Sequence, residues 1–293
     1  MNRMKQITIL GGSGFLGSVL SDLLVEKKKY KVVILDTKIK RPLLKNQKFI
    51  KGSILNDRKL QKAIKGSDYV FNFAALADLD LAKNLPLETA NINIIGTIKA
   101  LIMSKKNKIK KFIHASSIYA NSEQGGFYGS SKKAAEDFIE KFWKKYKIKF
   151  SILRFGSLYG LNAGKNNGIN FIIDTYLKKN ILSYNGKKNA ARKYIHVEDA
   201  CLACIQTMNK AYDNKYLNIT GKKKIKVMSL MRYISKLFEY KKNINFKNLE
   251  IEGHYVNEPR VFKPRQGTNL YLKKYKNFNQ ELINLIKERK SKI

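Results

Sequence analysis

Short apolar segments alternate with amphipathic segments through the first half of the chain. The apolar segments are rich in Ile, Val, Leu and Phe, which is typical of buried strands. They predict strands over residues 6–10, 31–36, 47–50, 68–73, 110–116 and 149–154. The amphipathic segments predict helices over residues 14–25, 57–65, 88–106 and 127–146. This alternation indicates an α/β fold, a doubly wound parallel sheet with helices on both faces, whose ligand binds at the carboxyl ends of the strands.

Beyond residue 160 the alternation is less regular. A loop rich in Gly and Asn covers residues 162–170, and helices are predicted over residues 169–179, 198–209 and 227–239, between short extended pieces. We see no internal repeat and no low-complexity linker. We therefore expect residues 1–160 to form the main domain and residues 161–293 a smaller C-terminal α/β lobe packed on it. The boundary is approximate, since strands of one sheet can come from both parts.

Three glycines directly follow the first predicted strand. The strand leads into Gly11, Gly14 and Gly17, and a helical segment begins at once. A glycine turn between a buried strand and a helix N-terminus lets backbone N–H groups and the helix dipole approach a pyrophosphate. Asp36 ends the second predicted strand about 20 residues later, where a carboxylate holds the adenosine ribose of a dinucleotide. The pattern indicates a dinucleotide site, and an ordinary glycine turn of an α/β protein is the alternative.

Composition narrows the class of protein. Lys and Arg number 59 against 22 Asp and Glu, a formal net charge of +37, and the basic residues are mostly lysines spread along the chain. Because arginine, the usual reader of bases and phosphates, is sparse, we expect no nucleic-acid partner, but a positive field that attracts an anionic substrate. Since no signal peptide and no apolar run of membrane-span length is found, we expect a soluble cytoplasmic protein with no membrane span.

Cys201 and Cys204 are the only cysteines, and both lie in a predicted helix. A metal or redox site would need further partners, and the chain has only three histidines, His114, His196 and His254. We therefore expect two small buried helix residues, no disulfide framework and no metal site.

A serine, a tyrosine and a lysine form the second informative pattern. Ser117 follows the fifth predicted strand, and Tyr128 and Lys132 lie four residues apart at the start of the next helix, so that both project from one helix face. An ammonium close to a phenol favours the phenolate, so we expect a lowered pKa for Tyr128 and a role as general acid/base. Tyr-x-x-x-Lys alone is common in amphipathic helices, and its place after a dinucleotide turn makes it specific.

These motifs resemble the extended short-chain dehydrogenase/reductase family, in particular its nucleotide-sugar epimerases and dehydratases, over nearly the whole chain. Besides the glycine spacing and the Ser117, Tyr128 and Lys132 set, the similar segments are Phe71–Ala75, Asn93–Thr97, Arg154–Gly160 and Arg192–Asp199. The resemblance implies a Rossmann-type fold, NAD as the cofactor and a nucleotide-diphosphate sugar as the substrate. It also implies a homodimer formed by the helices that carry Asn93 and Tyr128.

The resemblance implies a role for each matching residue. The catalytic set is Ser117, Tyr128 and Lys132, and Lys132 also holds the nicotinamide ribose. The residues implied to bind the substrate are Ser117, Ser157 and Arg192. The guanidinium of Arg192 suits a diphosphate. The residues implied to bind or line the cofactor are Gly11, Gly14, Phe15, Leu16, Gly17, Asp36, Ser53, Ile54, Phe73, Ala74, Ala75, Asn93, Ser116, Tyr128, Lys132 and Phe155. The alternative is a packing or turn role for Ser53, Ala74 and Ala75, and a helix-surface position for Asn93.

The cofactor side departs from the family pattern at one position. Ser53 stands where aspartate is frequent, which indicates adenine recognition by backbone groups. Lys38 and Lys40 follow Asp36 and are candidates to meet a 2′-phosphate. The Asp36 carboxylate would repel that phosphate, which favours NAD over NADP.

The substrate side leaves several reactions open. Ser157 replaces a frequent asparagine, and only ten residues separate Ser117 from Tyr128, a shorter loop than many members have at the sugar pocket. Dehydratase members carry an Asp-Glu pair directly after the catalytic hydroxyl residue, whereas Ile118 and Tyr119 follow Ser117. We therefore expect an NAD-dependent epimerase that oxidises the sugar transiently at C4, with Tyr128 as acid/base. The alternatives are an NAD(P)-dependent reductase or dehydrogenase, a 4,6-dehydratase, and a dinucleotide-binding regulatory protein.

Overall fold

The structure is a computed structural model, and it describes residues 3–39, 41–164, 167–247, 254, 256 and 267–291. The strands are β1 (Lys5–Leu10), β2 (Tyr30–Asp36), β3 (Gln47–Lys51), β4 (Tyr69–Asn72), β5 (Lys111–Ser117), β6 (Phe150–Phe155), β7 (Ser157–Tyr159), β8 (Ser183–Tyr184), β9 (Ala191–Arg192), β10 (Tyr194–His196), β11 (Lys215–Ile219), β12 (Ile225–Lys226), β13 (Asn245–Phe246) and β14 (Thr268–Asn269). The helices are α1 (Phe15–Glu26), α2 (Asp57–Ile64), α3 (Leu79–Asn84), α4 (Pro86–Ala90), α5 (Gly96–Lys106), α6 (Gly126–Tyr146), α7 (Gly168–Lys179), α8 (Val197–Gln206), α9 (Val227–Leu237) and α10 (Phe278–Lys290). A π-helix (Asn91–Ile95) joins α4 to α5, and 3₁₀ turns lie at Ile118–Asn121 and Lys210–Tyr212.

Eight strands form the central sheet, in the order β14-β11-β6-β5-β4-β1-β2-β3. Each pairing within it is parallel. The strand order runs outward from β1 in both directions, so the connections reverse direction between β1 and β4. In open α/β sheets a ligand binds at the carboxyl ends of the strands at such a reversal. The predicted doubly wound parallel fold is confirmed.

The apolar pattern located the regular elements of the first half well. The six predicted strands are present, and their ends differ from the predicted ones by one residue at most. The predicted helices are present with ends that differ by up to three residues. One predicted helix, over residues 88–106, is in fact α4, the π-helix and α5 in succession. There the Thr97 hydroxyl donates to the Asn93 carbonyl at 2.7 Å.

Hydrophobic layers cover both faces of the sheet. Successive residues of a strand point to opposite faces, so Ile9 and Phe71 belong to the layer beneath α1 and α8. Leu10 and Val70 belong to the layer beneath α2, α5 and α6. The strands are buried on both faces, which explains why they read as continuous apolar runs rather than as alternating ones.

The part of the chain beyond residue 160 forms the smaller lobe and also adds elements to the central sheet. Helices α7, α9 and α10 enclose a separate hydrophobic cluster, which forms the smaller lobe. In contrast, β11 and β14 extend the central sheet, and α8 packs on α1. Cys201 and Cys204 lie in α8, buried and free of any disulfide, as predicted. The boundary between residues 160 and 161 stays a prediction.

Candidate active site

The glycine turn lies at the carboxyl end of β1, where the strand order reverses. Gly11 has a φ of +78°, and a Cβ there would meet the backbone nitrogen of Ala74 at 2.6 Å. A Cβ on Gly17 would overlap the carbonyl oxygen of Gly11 and lie 2.7 Å from the Cα of Gly12. These positions require glycine, because the turn, the start of α1 and the segment after β4 approach one another at backbone distance.

The N-terminus of α1 is open to an anion. Gly14 is the N-cap residue, no side chain caps the helix, and the first turn holds no acidic residue. The first N–H groups of α1 therefore lack a capping partner, and they lie at the positive end of the helix dipole. Phe15 is partly buried, whereas the Leu16 side chain is buried in the core and its carbonyl accepts from Cys201 Sγ at 3.4 Å. Any contact of Leu16 with a cofactor would be through its backbone.

Asp36 lies beside the glycine turn, at the end of β2. Its Oδ2 accepts a hydrogen bond from the backbone N–H of Ser13 at 2.9 Å, and its Oδ1 accepts one from that of Thr37 at 2.7 Å. The Ser13 hydroxyl is buried without a hydrogen-bond partner among the described residues. A fixed carboxylate next to an unsatisfied hydroxyl fits the ribose of an adenine dinucleotide.

The segment after Asp36 contains Lys38 and Lys40, the two predicted candidates for contact with a 2′-phosphate. Lys40 lies outside the described residues, and Lys38 is exposed. Arg41 binds the far side of α1: its Nη2 donates to Asp22 Oδ1 at 2.5 Å and to the Ser18 carbonyl at 3.1 Å. This arginine is therefore engaged on the protein itself.

Predicted cofactor residues also follow β4 and end β6. The Phe73 ring meets the rings of Phe71 and Phe155 edge to face, with centroids 5.7 and 6.5 Å away. Ala74 and Ala75 are half-buried, and Ala74 is the residue that approaches the glycine turn. The structure thus brings this segment to the turn, while Phe155 contributes mainly to the core.

The two predicted adenine residues after β3 differ in burial, since Ser53 is half-buried and Ile54 is buried. Ile54 is buried, and a Cβ on Gly96 would lie 2.6 Å from its Cγ2. The Ser53 hydroxyl accepts a hydrogen bond from the backbone of Leu55 at 3.2 Å, which forms a local turn. The Ile54 side chain therefore packs in the core, and the adenine role of both residues stays a prediction.

The predicted catalytic residues converge at the carboxyl end of β5. Ser117 is the last residue of β5, and Tyr128 and Lys132 lie one turn apart in α6. The Ser117 hydroxyl lies close enough to the Tyr128 side chain to lower the pKa of its phenol. Lys132 Nζ donates to the Ala115 carbonyl at 2.8 Å and lies 5.7 Å from the centre of the Tyr128 ring. A phenol, a hydroxyl and an ammonium thus share one small region.

The lowered pKa predicted for Tyr128 is wrong. Burial raises the pKa of Tyr128 to about 12, and the nearby Ser117 hydroxyl lowers it by less. Burial also lowers the pKa of Lys132 to about 8, against the charge of Glu136, which raises it. The prediction considered the nearby ammonium alone and left out the desolvation of the phenolate. At neutral pH Tyr128 is therefore a phenol and Lys132 is mostly an ammonium.

Asn93 is buried in the π-helix rather than placed on the helix surface. Its Oδ1 accepts from the backbone N–H of Leu76 at 2.8 Å, and its Nδ2 donates to the Leu76 carbonyl at 3.1 Å. The same Nδ2 donates to Ser131 Oγ at 2.9 Å. Asn93 therefore fastens the segment after β4 to α6, in a π-turn of the kind often found at functional sites.

A buried ion pair behind the catalytic set was missed by the sequence analysis. Arg154 of β6 and Glu136 of α6 are joined by two hydrogen bonds, from Nε to Oε1 at 3.0 Å and from Nη2 to Oε2 at 2.7 Å. The hydroxyl of Ser116 donates to Glu136 Oε1 at 2.6 Å, and the cofactor role of Ser116 stays a prediction. The signal was present in the sequence, because Glu136 follows Lys132 by one helical turn and Arg154 interrupts an apolar strand.

The predicted substrate residues lie on short strands that follow β6. Ser157 begins β7 and is paired with Tyr194 of β10, and Arg192 ends β9 just before. Arg192 Nη1 donates to the Ala191 carbonyl at 3.1 Å. The structure thus brings Ser157 and Arg192 to neighbouring strands, and their contact with a substrate stays a prediction.

The described residues were also compared with the requirements of a metal site and of a membrane span, and they meet neither. Within the described ranges, no group of three or more His, Cys, Asp or Glu side chains is arranged to hold a metal ion. None of the described helices combines the length and apolarity needed to cross a bilayer.

Comparison with known proteins decides the family. Residues 7–220 match the model of the NAD dependent epimerase/dehydratase family. A putative UDP-glucose 4-epimerase of Methanocaldococcus jannaschii is 30% identical in an alignment of length 239 that covers 74% of this chain and 77% of that protein. The chain belongs to the NAD-dependent epimerase/dehydratase family. It is therefore an NAD-dependent enzyme, and the predicted family and cofactor are confirmed.

Some relatives of this epimerase/dehydratase are named as epimerases and others as dehydratases. A dTDP-D-glucose 4,6-dehydratase of Homo sapiens is 26% identical in an alignment of length 279 that covers 87% of this chain and 79% of that protein. Among solved structures, the UDP-N-acetylglucosamine 4-epimerase of Methanobrevibacter ruminantium M1, in complex with UDP-N-acetylmuramic acid, aligns with a TM-score of 0.86. It is 24% identical, and the alignment covers 99% of this chain and 100% of that one. The structural likeness supports the fold, and family membership leaves the reaction open between epimerisation and dehydration.

Proposed function

We propose that this enzyme is a 4-epimerase of nucleotide-diphosphate sugars in which Tyr128 moves the proton of the sugar 4-hydroxyl. The observation that carries the proposal is the placement of Ser117, Tyr128 and Lys132 together at the carboxyl edge of the sheet that also holds the glycine turn. A proton-transfer group next to a dinucleotide site is what reversible oxidation of an alcohol requires.

The chain's own residues fit NAD. The turn at Gly11 and Gly17 leaves backbone rather than side chains facing a pyrophosphate, and the N-terminus of α1 has no capping side chain to compete with it. In this proposal Asp36 holds the adenosine ribose and Lys132 holds the nicotinamide ribose. NAD bound there supplies a reversible hydride acceptor for the sugar carbon.

Tyr128 in its phenolate form takes the proton of the 4-hydroxyl during oxidation, and the phenol so formed returns a proton during reduction. Since burial holds the pKa of Tyr128 near 12, proton transfer to and from this oxygen depends on groups that stabilise the phenolate. The Ser117 hydroxyl supplies a hydrogen bond and the Lys132 ammonium supplies a positive charge. The pKa of Lys132, about 8, keeps that charge in place at neutral pH.

Two features favour epimerisation over dehydration. Loss of water needs an additional acid and base beside the catalytic hydroxyl, but Ile118 and Tyr119 follow Ser117 in the 3₁₀ turn. Glu136, the nearby buried carboxylate, has its oxygens bound by Arg154 and Ser116. The name of the Methanocaldococcus jannaschii relative points the same way.

The proposal includes a nucleotide-sugar substrate held by Ser157 and Arg192, and a homodimer. On the helix through α5, Ile95 and Ile102 are seven residues apart and are exposed. On α6, Phe127 and Phe138 are eleven residues apart and are 53% and 42% exposed. Residues at these spacings share one helix face, and α5 packs beside α6. The two helices therefore present an apolar surface suited to a second copy of the chain.

The test is turnover of a panel of UDP- and dTDP-sugars by the purified protein. We expect the wild type to form the C4 epimer, and Tyr128→Phe to lose about 10²-fold or more in kcat with an unchanged circular dichroism spectrum. Tyr146→Phe, at the far end of the same helix, is the matched control and keeps wild-type turnover. Near wild-type turnover by Tyr128→Phe would refute the role of this residue. A wild type that converts no member of the panel would refute the epimerase proposal.

A further inference from the structure

The ion pair of Glu136 and Arg154 lies directly behind the catalytic set, and the mechanism above gives it no part. Both side chains are buried, at 0% and 1% exposure. Arg154 also stacks on Tyr216 of β11, with its Cζ 4.8 Å from the ring centre. The pair therefore joins α6, β6 and β11 in the interior, where a charge is expensive unless it is fully partnered.

The pair fixes the chain on both sides of the 3₁₀ turn that follows β5. Glu136 Oε1 accepts the Ser116 hydroxyl at 2.6 Å, and Ser116 immediately precedes Ser117. Asn121 ends the turn, and its side-chain oxygen, oriented by these partners, accepts from Arg154 Nη1 at 3.2 Å. The backbone that presents Ser117 is thus tied at both ends to one buried pair.

Glu136 also lies one helical turn beyond Lys132. Residues four apart on a helix are neighbours on its surface, and both of these side chains face the interior. The negative charge of Glu136 raises the pKa of Lys132 and opposes the effect of burial.

The groups on the other elements around Lys132 offer no equivalent charge. His114 on β5 is buried, burial holds its pKa well below the ordinary value, and it is neutral at pH 7. Tyr128 is a phenol at this pH. On the helices packed against α6, charged residues lie at the surface or in a surface ion pair: Asp80, Lys83 and Glu88 on α3 and α4, and Lys99, Lys105 and Lys106 on α5. Among the described residues that pack around Lys132, Glu136 is therefore the buried anion.

We propose that Glu136 is a positioning residue of this active site, the buried counter-charge of the Lys132 ammonium and the anchor of the strand end that carries Ser117. Arg154 holds the Glu136 carboxylate in place from its other side. The role of this counter-charge in turnover rests on the proposed epimerase function, whereas its effect on Lys132 does not.

Removal of the Glu136 charge leaves Lys132 and Arg154 as buried cations without an anion. Lys132 then loses its proton at lower pH, because burial continues to disfavour the ammonium and the opposing negative charge is gone. A downward shift of about one pH unit reduces the protonated fraction at pH 8 from about a half to about a tenth. We therefore expect Glu136→Gln to lose about fivefold in kcat at pH 8 and to recover most of it near pH 6.

The direct measurement is the titration of Lys132 by NMR in protein labelled with ¹³C at lysine Cε, with NAD absent and no turnover. The signal is assigned by its loss in Lys132→Met. We expect a wild-type midpoint near 8 and a midpoint lower by about one unit or more in Glu136→Gln. Glu136→Asp keeps the charge and stays within about half a unit of the wild type.

The matched control is Glu140→Gln, the same substitution one turn further along α6. Glu140 pairs with Lys144 near the surface and accepts from Tyr216, so its loss disturbs the same helix without touching Lys132. We expect it to leave both the NMR midpoint and the pH profile unchanged. If Glu136→Gln does not fold, the double variant Glu136→Gln/Arg154→Gln removes both charges of the pair, and the same downward shift is expected.

An unchanged Lys132 midpoint in the folded Glu136 variants would overturn the proposal, and so would an equal shift in Glu140→Gln. If the midpoint shifts as expected but the wild type converts no nucleotide sugar, the counter-charge role stands and the proposed function fails. If the enzyme is an epimerase but the midpoint does not move, the proposed function stands and the counter-charge role fails.

Discussion

Asp36 is the residue that we expect to distinguish the two nicotinamide dinucleotides. Its carboxylate is fixed at the end of β2 by the backbone of Ser13 and Thr37, next to the glycine turn. Arg41, the arginine that follows it in the chain, is bound to Asp22. A fixed negative charge and an engaged guanidinium both disfavour a 2′-phosphate, which agrees with the NAD dependence of the family.

We expect Asp36→Ala to weaken NAD binding, because hydrogen bonds between the carboxylate and the ribose hydroxyls are lost. Such charge-assisted hydrogen bonds contribute about 1.5–3 kcal/mol, which corresponds to roughly a ten- to hundredfold rise in Kd. The preference over NADP should fall at the same time, since the repulsion of the 2′-phosphate is removed. Calorimetric titration with both dinucleotides measures this, and Asp57→Ala, an exposed partner of Lys99, is the control. An unchanged Kd for NAD would contradict the role of Asp36.

The sequence predicted candidate site residues that the structure brings together where their type and spacing carry the signal. The glycines, Asp36, Tyr128 and Lys132 all belong to this class. The sequence did not reveal the pair of Glu136 and Arg154, and it predicted a lowered pKa for Tyr128 where burial raises it. Both errors have the same physical reason. The effect of a charge depends on how deeply the folded chain buries it and on which groups surround it, and that information is held in the tertiary contacts.

Helix α1 and the turn before it act as one element. The helix begins one residue after Gly14 without a side-chain cap, and Gly17 packs directly on the turn. The backbone of Gly11 in turn contacts Ala74 after β4. The position of the helix N-terminus relative to the sheet therefore depends on the absence of side chains at these glycines.

We expect Gly17→Ala to displace the helix from the turn, because its Cβ would overlap the Gly11 carbonyl oxygen. The protein should lose bound NAD on gel filtration and melt at a lower temperature. Gly168→Ala is the matched control, since it also lies in the first turn of a helix and its Cβ would meet no atom within 4 Å. Equal NAD retention by the two variants would contradict the close packing at Gly17.

Elements were predictable where the apolar pattern is long enough to show a period. The central strands and long helices satisfy this condition, whereas β8, β9, β12, β13 and β14 are two residues long and show no pattern. Helix α10 was not predicted, although its apolar residues have helical spacing. These residues pack in the separate hydrophobic cluster of the smaller lobe: Phe278, Leu282, Leu285 and Ile286. The π-helix was not predictable, since it depends on the contacts of Asn93 with Leu76 and Ser131.

At the scale of the whole molecule, the chain returns to the central sheet after forming the smaller lobe. Strands β11 and β14 extend the sheet beyond β6, and α8 covers β1 and its neighbours. The predicted catalytic residues of β5 and α6 therefore lie near the middle of an eight-stranded sheet. Ile102 of α5 and Phe127 and Phe138 of α6 remain exposed in the single chain.

We expect the wild type to be a dimer and the double variant Ile102→Glu/Phe138→Glu to be a monomer, because each copy would bury two charges at the symmetric contact. Light scattering after gel filtration should give a mass near 33.7 kDa for the variant and about twice that for the wild type. Leu202→Glu on α8, at the opposite face of the sheet, is the control and stays dimeric. A wild type of monomer mass would contradict the proposed dimer.

The reaction itself is tested most directly by incubating the wild-type enzyme with a nucleotide sugar in D₂O and analysing the product by mass spectrometry and proton NMR. Epimerisation by transient oxidation returns the same hydrogen to C4, so we expect the C4 epimer with unchanged mass and with protium at every carbon. Dehydration removes water across C5 and C6 and takes hydrogen from the solvent. A 4-keto-6-deoxy product that has lost water and carries deuterium at its carbons would contradict the epimerase account.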